Sequence, residues 1–289
     1  MPEQSTLPEF ALGVGAISLK GIVIPEVVTK VLDTYETQQP SEILKVTMEL
    51  SPRAEELGQG TVIGVSGKVS MFGLGVPMLV LIQVARSPES NLSPLALAIS
   101  APLTGYYAVK VDTLGWELGK YAFQAIAIPL AGPPGVAPLH FTTIAVPRVG
   151  AQLTMNVQGA QSPLDVASGV TVYVDMTLRN SGNVGLINIK RRAQFQTAPG
   201  GTSYPATAVD SGFDYGYELL PNASKAYAGL GVPTTGMPAG ASYDALAWAE
   251  FTANSASLPG AFWTETIRKT GEIRILAATG SLTAVTWRL

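Results

Sequence analysis

The chain has 289 residues, of which 13% are charged, with no cysteine and one histidine, His140. Ordinary soluble domains carry about 25% charged residues, so a surface this poor in charge is expected to be covered by neighbouring subunits. Absent cysteines exclude disulfides and thiolate metal sites. A net charge of −3 leaves no basic excess to hold a phosphate backbone, so no sequence-specific nucleic-acid partner is expected.

The length suits one large domain or two of ordinary size, and a hydrophobic content of 47% excludes general disorder. Val76 to Ala85 is about half a helical membrane span, and Tyr121 to Val136 is interrupted by Pro129, Pro133 and Pro134, so no spanning helix is expected. The opening Met1-Pro2-Glu3-Gln4 lacks the basic, then apolar, pattern of an export signal.

Residues 1–40 read as an N-terminal arm followed by one short helix. The arm, 1–24, is polar and then rich in Gly and Ile, with too little patterned apolar surface to fold alone. From Glu26 to Thr37 the residues Val27, Val28, Val31, Leu32 and Tyr35 fall on one helical stripe. Pro25 suits the first turn and Pro40 follows the stop. Beyond this point the pattern is all-β. Ile43 to Leu50 alternates, and further strands are expected near Val62 to Phe72, Met78 to Ala85, Tyr107 to Val111, Tyr121 to Ile128 and Phe141 to Val146. In Val172 to Arg179, Val172, Val174, Met176 and Leu178 share the face expected to be core. Asn180-Ser181-Gly182-Asn183 then supplies turn residues. Ala245 to Phe251 and Glu272 to Ala277 complete the set. A Gly precedes Tyr121 and Tyr243 in similar segments, about one β-sandwich domain apart. The expected fold is therefore a jelly roll or β-sandwich barrel, 41–148, and a second such domain, 149–289. The alternative is one jelly roll carrying an inserted β-domain.

Catalytic chemistry has little material. His140 has no histidine partner in sequence and reads as a structural residue rather than a triad member or metal ligand. Gly13-Val14-Gly15 and Gly73-Leu74-Gly75 do not extend to a nucleotide motif. Asp210, Asp214 and Glu218, among Phe213, Tyr215, Tyr217 and Tyr227, could form a sugar platform or cation site, but read first as a contact loop. They lack calcium-loop spacing. Lys190-Arg191-Arg192 reads as a solvated or interfacial strand end, and Glu55-Glu56 as a solvated loop. The sequons at Asn91 and Asn222 carry little weight without an export signal. No catalytic, cofactor-binding or metal residues are assigned, and no cofactor or enzymatic activity is expected.

Taken whole, these charge-poor, cysteine-free strands punctuated by Gly and Pro resemble the large major capsid protein of tailless icosahedral phages of Thermus with an internal membrane. The resemblance covers composition and size and rests on no specific motif. It implies an upright jelly roll with a second β-domain, residence in the virion, and partners that are copies of the chain, a second capsid protein and the membrane. Two other functions compete. One is a tandem immunoglobulin-like assembly or adhesion protein of a tail, pilus or surface layer. The other is a carbohydrate-binding sandwich or glycosidase, since two carboxylates suffice for glycoside cleavage.

Overall fold

The computed structural model describes residues 16–17, 43–87, 91–159 and 162–277. The helix expected over Glu26 to Thr37 lies outside them, as does the arm apart from Ala16 and Ile17. The described chain divides into two compact units. The first runs to Val149 and includes 182–185 and 254–259; the second comprises 150–181, 186–253 and the residues from 260. All the strands of the first precede those of the second, so the two follow one another along the chain.

In the first unit the strands are β1 (Ala16–Ile17), β2 (Leu44–Ser51), β3 (Glu56–Gly58), β4 (Val62–Met71), β5 (Leu74–Gly75), β6 (Leu79–Arg86), β7 (Ser93–Ile99), β8 (Tyr106–Asp112), β9 (Gly119–Ile128), β10 (Gly135–Val136) and β11 (His140–Ala145). One sheet has the order β1-β7-β6-β9-β11-β3, with β10 also on β9. The facing sheet places β4 between β2 and β8, with β5 also on β4. Strict alternation drives the second sheet: Leu44, Val46, Met48 and Leu50 of β2 are buried while Lys45, Thr47 and Glu49 are exposed. These side chains meet Val80, Ile82, Phe123, Ala125 and Ile144 of the first sheet in one core. Pro52 ends β2, because proline brings no N–H to a ladder. The chain then joins the other sheet as β3, parallel to β11.

The second unit repeats this plan with β12 (Ala151–Val157), β13 (Leu164–Ala167), β14 (Thr171–Asn180), β15 (Gly185–Gln196), β16 (Ser203–Asp214), β17 (Ser224–Pro233), β18 (Ser242–Asn254) and β19 (Phe262–Leu276). Its sheets are β12-β14-β17 and β13-β19-β18-β15-β16, and again the short β13 runs parallel to the last strand, β19. Val172, Val174, Met176 and Leu178 are buried, and Tyr173 and Arg179 are exposed, as the alternation of β14 predicts.

Both units share one hallmark. Tyr121, near the start of β9, donates its hydroxyl to the Glu117 carbonyl at 2.9 Å. Tyr243, near the start of β18, donates to the Pro238 carbonyl at 2.8 Å. A tyrosine at this corner, bonded a few residues back along the chain, accompanies the immunoglobulin-like strand order. That order fits the expected all-β sandwich and does not confirm the jelly-roll form of it. A jelly roll winds eight strands into two Greek keys, whereas here three core strands of one sheet face an edge-extended second sheet in each unit. Jelly rolls and immunoglobulin-like sandwiches share the same alternation, so period-two patterning could not separate them.

Candidate functional site

The loops at one end of the first sandwich contain no charged residue. Phe72 to Met78 links β4 to β6, Ser100 to Gly105 links β7 to β8, and Pro129 to Leu139 links β9 to β11. They are packed tightly. Gly75 bridges to Leu103, and a Cβ on Gly75 would collide with the Thr104–Gly105 backbone. Ser100 Oγ accepts from Met78 N at 2.8 Å and donates to the Val76 carbonyl at 2.7 Å. The hairpin of β4 and β5 closes through Phe72 and Gly73, with φ of +50° and +82°. Positive φ at both central residues is the two-residue turn that fits strand twist.

The side chains here run against expectation. Leu103 is 91% exposed, Phe72 78% and Leu74 73%, and Leu130 is fully exposed. Phe72 and Leu103, with φ of +67°, are also two of the four non-glycine residues at positive φ among the described residues. The other two, Asn188 and Asn222, are of the type that tolerates this region. Left-handed backbone costs an ordinary L-residue about 1–2 kcal/mol, and glycine would remove both this strain and the exposed apolar surface. Two large apolar side chains are thus displayed where local physics favours glycine.

The residues singled out in the sequence fall elsewhere. Gly73-Leu74-Gly75 forms the hairpin tip just described. His140 opens β11 and lines a shallow hollow with Leu50, Pro52, Arg53, Ala54, Glu55 and Phe141. That wall holds one imidazole and one carboxylate but no hydroxyl or thiol nucleophile. Glu56, expected in a solvated loop, belongs to β3 and accepts from Asn183 Nδ2 at 3.0 Å, because the strand carries it against the turn residue.

In the second unit the three acidic residues separate. Asp210 takes Lys190 at 2.5 Å and Arg192 at 3.3 Å, while Asp214 takes Lys225 at 2.6 Å. Among the described residues no three His, Cys, Asp or Glu side chains converge to hold a metal. Desolvation nudges the Asp210 carboxyl upward, but hydrogen bonds from Lys190 and the Gly212 N–H, with the Lys190 and Arg192 charges, hold it below the ordinary range. Lys190-Arg191-Arg192 is therefore the middle of β15 rather than a solvated end. Lys190 and Arg192 lie on one face, with Arg192 also bonded to Glu250 at 3.2 Å. Arg191 points to the opposite face and sits 4.4 Å over the Tyr227 ring. Burial pushes the Arg191 guanidinium down and the Tyr227 hydroxyl up from their ordinary values. Phe213, Tyr215 and Phe262 remain as an aromatic group, with ring centroids 5.4 and 6.4 Å apart along the series Tyr215, Phe213, Phe262. The carboxylates beside it are committed to lysine and arginine.

No family model matches the chain, and no curated protein matches it. Solved structures with some likeness include a tetra-tandem repeat in the extending region of a large adhesion protein (14% identity, TM-score 0.28, covering 78% of this chain and 49% of that one). Escherichia coli alpha-2-macroglobulin activated by porcine elastase is another (15%, 0.31, 82% and 22%). Red sea bream transglutaminase is a third (12%, 0.24, 84% and 34%). The chain spans less than half the length of each, and likeness this low carries no functional argument.

Proposed function

We propose that the chain is a non-catalytic structural subunit, a shell protein of a virion. Its charge-free end on the first sandwich contacts neighbouring subunits. The observation that carries this reading is the display of Phe72 and Leu103 at positive φ on an uncharged surface. Burying them between subunits recovers roughly 1.5–3 kcal/mol per large apolar side chain, enough to offset the backbone strain of about 1–2 kcal/mol that each one costs. Few charges need desolvating at such a contact. Copies of the chain are the first partners, and a second shell protein and an internal membrane are those the capsid resemblance adds.

The immunoglobulin-like strand order of both units favours a second reading, a tail, pilus or surface-layer component. Negative-stain microscopy of the purified protein and of its source particle separates the two. Closed shells or a curved lattice support the first, linear fibres the second, and a monomer at every concentration and ionic strength contradicts both. On either reading His140→Ala leaves the biological activity within a few-fold. Loss of a measurable turnover in that variant, with folding intact, would overturn the non-catalytic assignment.

A further inference from the structure

The larger sheet of the second sandwich gathers aromatic rings on its outer face. Strands β15 and β18 lie between β16 and β19, so Phe213 and Phe262 start three strand spacings apart, about 14 Å. Their ring centroids are nevertheless 6.4 Å apart, and Tyr215 continues the series at 5.4 Å. The rings therefore lean toward each other and lie along the sheet rather than standing up from it. The row beneath permits this, because Thr252, in register with Phe262, is short and buried and accepts from Asn188 Nδ2 at 3.1 Å. Lys190 Nζ sits 5.0 Å from the Phe213 centroid with its side chain largely covered, bracing that ring from the sheet side. Tyr215 and Phe262 stay 73% and 63% exposed.

We propose that this platform binds an uncharged oligosaccharide, with sugar rings stacked on Tyr215, Phe213 and Phe262. The rim carries the choice of ligand. Asp210 is bonded to Lys190 and Arg192, and Arg192 to Glu250, so two cations and two carboxylates leave no net charge to draw an ionic ligand. Thr264 and Thr266, in register with Glu250 and Trp248, add exposed hydroxyls to the same face. The core of a protein contact is depleted in charged residues. The loop end of the first unit meets that condition and this face does not. Flat rings with fixed donors and acceptors at their edge suit a ligand with an apolar C–H face and hydroxyls around its perimeter. The ion pairs hold the polar groups in place beforehand, which lowers the ordering cost of binding. Both carboxylates are bonded to arginine, so neither is set up as the proton donor of glycoside cleavage, and the sugar is bound without hydrolysis. The site belongs to the second unit and is independent of the subunit contacts proposed for the first.

Binding is read on a printed array of uncharged oligosaccharides of glucose, galactose, mannose and N-acetylglucosamine, with sialylated oligosaccharides beside them. Hits are then titrated in solution by calorimetry. At least one uncharged oligosaccharide should bind saturably to the unaltered chain. Tyr215→Ala and Phe262→Leu should each weaken that binding at least tenfold, because leucine keeps apolar bulk but offers no ring face. Tyr173→Ala, which removes an exposed tyrosine from the other sheet of the unit, should leave it unchanged. Urea midpoints are measured alongside. If Phe262→Leu proves unstable, Tyr215→Ala decides alone, since Tyr215 is an exposed residue of the turn after β16. No uncharged hit, binding confined to sialylated sugars, or undiminished affinity in the two variants would each overturn the proposal. If the unaltered chain binds no sugar and the two variants lose assembly instead, the face is a protein contact.

Discussion

Phe72 and Leu103 test whether the displayed apolar side chains serve the fold of the chain or the proposed contacts. Glycine at either position relieves positive-φ strain of about 1–2 kcal/mol, while a freer unfolded chain takes back about 0.5–1 kcal/mol. Phe72→Gly and Leu103→Gly should therefore leave the urea midpoint unchanged or slightly raised. Clear destabilisation would show that these side chains serve the subunit itself. Tyr121 and Tyr243 make the opposite case. Removing either hydroxyl leaves a main-chain carbonyl without its partner, so Tyr121→Phe and Tyr243→Phe should each cost about 1–2 kcal/mol in denaturant unfolding. In β14, Met176 is 1% exposed, so Met176→Ala should cost about 2–5 kcal/mol. Thr177→Ala on the outward face should cost much less. Equal small losses at both would invalidate the face assignment.

Elements were legible where one face is wet. β2, β4, β8 and β14 follow from alternation, and the Gly-then-Tyr echo marks the starts of β9 and β18. β7 was not foreseen, because alanines and Pro94 dilute its pattern. β15 was hidden by Lys190-Arg191-Arg192, which reads as a solvated end until Asp210, Glu250 and the Tyr227 ring supply partners from other strands. β16 holds Pro205 and Gly212 and lies at a sheet edge, where such residues are tolerated. The apolar end was invisible as a site, because Phe72 and Leu103 look like ordinary strand and loop residues until their φ and exposure are known. Electrostatics acts at this scale too. Arg274 grips Asp165 through two bonds of 2.7 and 2.6 Å, joining β13 to β19. Hydrogen bonding to Arg274 holds the Asp165 carboxyl below its ordinary value, and Asp210 is held low as well. A lowered folded pKa gives stability that is present above the unfolded pKa, about 3.9 for aspartate. That stability fades as pH falls through the folded pKa. The second unit should lose urea resistance as the pH drops below about 4, and Asp165→Asn and Asp210→Asn should flatten that dependence. An unchanged slope in both variants would mean that the acid response lies in other carboxylates.

At the scale of the molecule, the low charge, the uncharged loops and the strained apolar display are what support the proposed contact with other subunits. The two sandwiches have a common strand plan, but the charge-free set of loops belongs to the first. In the second, the group formed by Phe213, Tyr215 and Phe262 lies beside ion-paired carboxylates. The most direct test compares the unaltered chain with the Phe72→Gly/Leu103→Gly double variant by sedimentation velocity across a concentration series, with the urea midpoint of each measured alongside. The account predicts assemblies from the unaltered chain and a loss of at least tenfold in assembly affinity for the variant, at equal or higher stability. Equal assembly of the two proteins would contradict it.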